Sequence, residues 1–334
     1  MNQEKTDKQL KLFSLNSNRP LAEEIAEELG MELGKSDITR FEDGEIRINI
    51  EESVRGDDVY LVQSTNDPGN DHFMEIVIMV DALRRASARK INVVIPYYGY
   101  ARQDRKPRPR EAITAKVIAN MLTVAGADRV VTMELHSPQI QGFFDIPVDH
   151  LSATALLANY FIDKGLVGKD TVVVSPDHQG VSRAREMAEL LNAPLAIIDK
   201  RSAEEAVQDS YNVVGEVNGR TCILFDDLID SAKTVVNATE TLKRAGAMDV
   251  YACATHAVFS NQAIDRIKES AIKKVVITNT INNENKPSCD LIEYISVAHI
   301  LGDAIRRIHQ HKSIKALFDK RYVDELEHHE LEFK

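Results

Sequence analysis

Short apolar runs alternate along the chain with segments of helical period. Runs at 11–15, 59–63, 91–97, 130–135, 171–175, 195–198, 221–225, 250–255 and 274–278 are rich in Val, Ile, Leu and Phe and predict strands. Several are unbroken by polar residues, the pattern of strands covered on both faces. Between them lie helix patterns. Leu21, Ile25 and Leu29 recur every four residues, with Asn18 placed to cap, Pro20 in the first turn and Gly30 as a stop. Strand–helix alternation predicts an α/β fold with mainly parallel sheets flanked by helices.

The pattern also repeats. Leu122-Thr-Val-Ala-Gly-Ala-Asp-Arg-Val-Val-Thr-Met-Glu-Leu-His136 aligns with Leu242-Lys-Arg-Ala-Gly-Ala-Met-Asp-Val-Tyr-Ala-Cys-Ala-Thr-His256 without a gap. Each copy reads as helix, glycine stop, strand and histidine. The constant register predicts an internal duplication into two domains, 1–150 and 151–318, with the boundary near 150–153. The remaining 319–334 is a charged tail.

Composition narrows the class. The 334 residues carry 41 Lys plus Arg against 52 Asp plus Glu, a net charge of −11. That balance argues against a nucleic-acid partner held by the bulk field. Cys222, Cys253 and Cys289 are far apart and form no C-x-x-C pair. This opposes a zinc site or a disulfide framework and fits a reducing, cytoplasmic setting. No apolar run approaches the ~20 residues of a membrane span, so no membrane partner is expected.

One stretch carries chemistry on its face. In Phe225-Asp-Asp-Leu-Ile-Asp-Ser-Ala-Lys-Thr234, an apolar strand runs into adjacent carboxylates, a polar turn and a helix. Such a turn directs free backbone N–H groups at an anion above the sheet edge, and vicinal acids there suit ribose hydroxyls or a hydrated metal. The segment resembles the ribose-phosphate loop D-D-x-x-D-T-A-G-T of phosphoribosyltransferase-type folds. Arg40-Phe-Glu-Asp-Gly-Glu-Ile-Arg47, Pro96-Tyr-Tyr-Gly-Tyr-Ala-Arg-Gln-Asp-Arg-Lys106, Leu135-His-Ser-Pro-Gln-Ile-Gln-Gly-Phe-Phe-Asp145 and Ser175-Pro-Asp-His-Gln-Gly180 narrow the resemblance to ribose-phosphate pyrophosphokinase. It runs in one register from about residue 10 to 318.

The resemblance implies two phosphoribosyltransferase-like domains and transfer of the diphosphoryl group of Mg-ATP to the 1-hydroxyl of ribose 5-phosphate. The products are phosphoribosyl diphosphate and AMP, and Mg²⁺ is the cofactor. Phe41, Asp43, Gly44 and Glu45 match the adenine-binding segment, and Arg102 and Gln103 the ATP-contacting pair. His136 and Asp177 match Mg²⁺-contacting positions, and Lys200 a catalytic lysine. Asp226, Asp227, Asp230, Ser231, Ala232, Lys233 and Thr234 match the ribose 5-phosphate loop. His256, the repeat mate of His136, takes a structural reading. Family members assemble as hexamers, which implies a homo-oligomer.

Four departures stand near this chemistry. Ser202 replaces the second catalytic cation, with Glu204 and Glu205 close behind. Lys233 and Gln179 stand where the family has glycine, and Glu134 replaces an aspartate. If Lys233 takes a left-handed backbone, the strain is about 1–2 kcal/mol and the sugar-phosphate turn is distorted. The pattern fits a divergent second copy with reduced activity. It equally fits a non-catalytic regulatory paralogue that binds nucleotide and forms a hetero-assembly with an active synthetase.

Overall fold

The structure, a computed structural model, describes residues 9–201 and 210–318. Ser202 and the 319–334 tail lie outside the described residues. The chain forms two compact units that divide between Leu151 and Ser152.

The first unit begins with β1 (Leu10–Ser14), α1 (Arg19–Leu29), β2 (Ser36–Arg40), β3 (Ile46–Ile50), β4 (Asp58–Val62) and α2 (Gly69–Arg85). It continues through β5 (Lys90–Ile95), α3 (Thr114–Ala125), β6 (Arg129–Met133) and β7 (Val148–Leu151). Its main sheet is wholly parallel, in the order β1-β4-β5-β6-β7. All five residues of β4 are buried, as its unbroken pattern predicts. Helix α1 is punctuated as read: Asn18 Oδ1 accepts from the Leu21 N–H, proline stands in the first turn, and Gly30 is left-handed. Strands β2 and β3 form a separate antiparallel hairpin whose Ile38, Ile48 and Ile50 pack onto the core.

The second unit contains α4 (Thr154–Asp163), β8 (Thr171–Ser175), α5 (Val181–Leu190), β9 (Leu195–Arg201) and β10 (Ser210–Val214). There follow β11 (Thr221–Ile229), α6 (Lys233–Arg244), β12 (Asp249–Ala257), α7 (Ala263–Glu269), β13 (Lys274–Thr278) and β14 (Ile292–Ile295). The sheet order is β10-β9-β8-β11-β12-β13-β14, parallel except for the edge pair β9–β10. The duplicated stretches occupy equivalent places: α3, left-handed Gly126 and β6 in one unit, and α6, left-handed Gly246 and β12 in the other.

The second unit does not run unbroken to 318, as the sequence reading had it. Thr280–Asn282 and Val297–Leu317 belong to the first unit. The reason is α8 (Ala298–His309), whose buried Ala298, Ile300, Leu301, Ala304 and Ile305 form one apolar face. That face lies along α1, where the Glu28 side chain meets Gly302 and accepts from His299 Nδ1 at 3.0 Å. Among the described residues, no helix is long and apolar enough to cross a membrane.

Candidate active site

In the first unit, the segment 41–45 is the turn of the β2–β3 hairpin. Arg40 pairs with Ile46 across it, and the Phe41 N–H donates to the Glu45 carbonyl at 2.9 Å. Asp43 Oδ1 accepts from the Glu45 N–H at 3.1 Å, an Asx turn, and Gly44 supplies the positive φ of 91°. The turn leaves Phe41 51% exposed, an aromatic face free to stack on a base. Arg40 anchors the hairpin to α2, 3.3 Å from Asp71 and 3.8 Å from the buried carboxylate of Glu75.

Arg102 and Gln103 are exposed in the loop between β5 and α3. Gly99 fixes the start of that loop. Its N–H donates to Thr65 Oγ1 at 2.6 Å, and a Cβ there would stand 2.3 Å from the Thr65 carbonyl oxygen. Gln103 closes the loop against α3: its Oε1 accepts from Thr114 Oγ1 at 2.6 Å and its carbonyl from the Ala115 N–H at 3.2 Å. Five cations, Arg102, Arg105, Lys106, Arg108 and Arg110, therefore share one tethered loop, a chemistry suited to polyphosphate.

His136 stands just past β6, half-buried. The chain before it turns through Glu134, left-handed at φ 40°. The Leu135 N–H donates to His150 Nε2 at 2.8 Å, so that ring nitrogen carries no proton. His150 is a supporting residue that spacing in the sequence does not mark. His256 is buried within β12, consistent with its structural reading.

In the second unit, Asp177 lies in the turn between β8 and α5. Its Oδ1 accepts from the N–H groups of Gln179 and Gly180 at 2.8 and 2.9 Å, and its carbonyl from Ser175 Oγ at 2.7 Å. A Cβ on Gly180 would stand 3.7 Å from Asp177 Oδ1 and 3.9 Å from Asp226 Oδ1, so this turn and the end of β11 adjoin.

Strand β11 continues past its apolar run and carries Asp226 and Asp227 within the sheet. Arg183 of α5 meets both, at 3.5 and 3.3 Å. Sequence reasoning missed Arg183, because a lone arginine in an amphipathic helix carries no motif. Burial first, and then the Asp227 carboxylate beside it, push Asp226 well above the usual carboxylate range, with Arg183 opposing. Asp230 and Ser231 lead to Ala232, which is left-handed at φ 60° and caps α6 with no side-chain hydrogen bond. The residue that caps α6, Ala232, has no polar side chain to offer the first-turn N–H groups, which begin at Lys233 and Thr234, the setting in which a helix start binds an anion.

This geometry corrects the strain expected at Lys233. The left-handed residue is Ala232, and Lys233 is the first helical residue of α6, exposed. Gln179 likewise has no positive φ. Both replacements of family glycines sit in backbone open to any residue. Lys200 also differs from its reading as a residue after the strand: it lies within β9, paired with Tyr211 of β10.

Among the described residues, no three His, Cys, Asp or Glu side chains cluster as a metal cage. The oxygen donors at Asp177, Asp226 and Asp227 would suit a hydrated Mg²⁺, which prefers oxygen ligands and keeps several waters.

The family profile for the N-terminal domain of ribose phosphate pyrophosphokinase matches residues 10–126, and that for the phosphoribosyl synthetase-associated domain matches residues 207–319. Ribose-phosphate pyrophosphokinase 2 of Enterococcus faecalis is 57% identical over 315 residues, 94% of this chain and 98% of that protein. Ribose-phosphate pyrophosphokinase of Bacillus caldolyticus is 57% identical over 311 residues, 93% of this chain and 98% of its own. The crystal structure of phosphoribosylpyrophosphate synthetase from Mycobacterium smegmatis superposes with a TM-score of 0.86 at 42% identity, covering 91% of this chain and 100% of that one. With two phosphoribosyltransferase-like α/β units and relatives matched nearly end to end, the chain belongs to the ribose-phosphate pyrophosphokinase family.

Proposed function

We propose that the chain transfers the diphosphoryl group of ATP to the 1-hydroxyl of ribose 5-phosphate. The oxygen of that hydroxyl bonds to the β-phosphorus of ATP as the bond between the β-phosphorus and the α,β-bridging oxygen breaks. AMP leaves, and the hydroxyl proton passes to solvent. The observation that carries this reading is the end of β11. It joins two adjacent carboxylates to a helix start capped by an alanine, within a chain 57% identical to named ribose-phosphate pyrophosphokinases.

The sugar phosphate sits on the amides of 230–234, with Asp226 and Asp227 at the ribose hydroxyls. Lys233 adds an ammonium beside the phosphate. Phe41 stacks on adenine, Asp43 and Glu45 accept from its amino group, and Arg102 with Gln103 holds the phosphates. When bound with ATP, Mg²⁺ would supply charge neutralisation to the diphosphoryl group, and His136 and Asp177 are the residues that by family resemblance would hold it through its waters. Lys200 neutralises charge developing on the transferred group.

Initial-rate assays with ATP, ribose 5-phosphate and Mg²⁺ test this. AMP and phosphoribosyl diphosphate should form in equal amounts. ATP binding without turnover would favour the regulatory reading, whose remaining support is Ser202 with Glu204 and Glu205. The same proposal includes a homo-oligomer, a hexamer by family resemblance, in the cytoplasm. Light scattering should report an assembly at micromolar concentration, and a stable monomer would contradict it.

A further inference from the structure

Three consecutive carbonyls of the sugar-phosphate turn are held from outside the turn. The Ile229 carbonyl accepts from the Val258 and Phe259 N–H groups at 3.0 and 3.1 Å, and the Asp230 carbonyl from the Ser260 N–H at 3.0 Å. The Ser231 carbonyl accepts from Arg266 Nη1 of α7 at 2.8 Å. None of these donors belongs to the ribose-phosphate motif.

The segment that supplies the first three donors is itself fixed. Lys286 Nζ donates to the Val258 and Phe259 carbonyls at 3.1 and 2.8 Å, and Asn283 Nδ2 to the Ala257 carbonyl at 2.9 Å. Phe259 is buried in a left-handed conformation at φ 46°, and Asn261 follows at φ 54°. Such backbone persists where its surroundings over-determine it.

The consequence follows from peptide planarity. A trans peptide points its C=O and its N–H in opposite directions. Holding the carbonyls of 229–231 toward the 258–260 segment and α7 turns the N–H groups of Asp230, Ser231 and Ala232 the other way. The last of these peptides, at the left-handed corner that opens α6, is held by the Arg266 side chain.

We propose that Arg266 is a positioning residue for the sugar phosphate. Its guanidinium holds the Ser231 carbonyl so that the Ala232 N–H stays aimed at the phosphate oxygens. The inference rests on the proposed placement of ribose 5-phosphate at this turn. A preorganised donor binds without reorganising, so loss of Arg266 acts on sugar-phosphate affinity.

The test is steady-state kinetics of Arg266→Met, Arg266→Lys and Arg266→Ala with both substrates varied. In Arg266→Met, KM for ribose 5-phosphate should rise roughly tenfold to a hundredfold, as for loss of a charged hydrogen bond. KM for ATP and the melting temperature should stay unchanged. Arg266→Lys should recover part of the loss, and added guanidinium ion should restore sugar-phosphate affinity to Arg266→Ala. A KM for ribose 5-phosphate equal to the parent's in Arg266→Met would overturn the inference while leaving the function intact. So would an equal rise in both KM values with no response to guanidinium, the mark of a merely structural residue. A parent chain that never saturates with ribose 5-phosphate would overturn the placement of the sugar and this inference with it.

Discussion

Asp226 is a buried carboxyl for which ionising is costly. Burial and the neighbouring Asp227 raise its pKa above the ordinary 3.8, so the folded chain holds this proton to higher pH than the unfolded chain does. Folding is therefore weakened as pH rises from about 4 through the folded-state pKa, and the penalty is constant above it. In metal-free buffer, Asp226→Asn should be more stable than the parent near neutrality, with the advantage shrinking as pH falls toward 4. Urea melts of both chains across that range check this, and a pH-independent difference would contradict it. Six residues on, the turn makes a sharper contrast. Ala232 carries the left-handed backbone, so Ala232→Gly should be neutral or stabilise by up to about 1 kcal/mol. Lys233→Gly relieves nothing and should cost up to about 1 kcal/mol of helix stability. Denaturant unfolding of the two variants would place the strain, and the opposite order would move it to Lys233. Sequence alone could not choose between these residues, because the motif gives the residue types of the turn and not which one turns the corner.

At the scale of elements, the nine strands expected from apolar runs all form, because each buries enough of both faces to declare itself. The strands missed are β2, β3, β7, β10 and β14, which are edge, short or hairpin strands. In β3 the alternation Ile46-Arg-Ile-Asn-Ile50 is a readable signal, with Ile48 and Ile50 turned to the core. The hairpin matters because its turn presents Phe41, Asp43 and Glu45, so the motif was legible while its support was not. The loop carrying Arg102 offers a test at this scale. Ala at position 99 must displace the Thr65 carbonyl, at a cost of about 1–3 kcal/mol by analogy with overpacked cores. Gly99→Ala should lower stability by that order and raise KM for ATP while leaving KM for ribose 5-phosphate near the parent value. Equal kinetic behaviour of the two chains would show that the loop is not positioned by this contact.

For the molecule as a whole, the internal repeat predicted two similar units, and each duplicated helix–glycine–strand segment occupies the equivalent place in its own unit. The repeat could not show that α8 closes the first unit. An amphipathic helix declares that it has a buried face without naming its partner, and only the fold lays Ile300, Leu301 and Ile305 beside α1. Side-chain partners such as Arg183 and Arg266 were illegible for the same reason: they are brought to the β11 turn by tertiary packing and by no spacing along the chain. The family's reaction moves a diphosphoryl group and not a single phosphoryl group. The direct measurement follows ATP labelled separately at its β- and γ-phosphorus, incubated with ribose 5-phosphate and Mg²⁺. Both labels should appear together in the sugar product, with AMP unlabelled. Transfer of the γ-label alone with release of ADP, or no label in the sugar, would contradict the account.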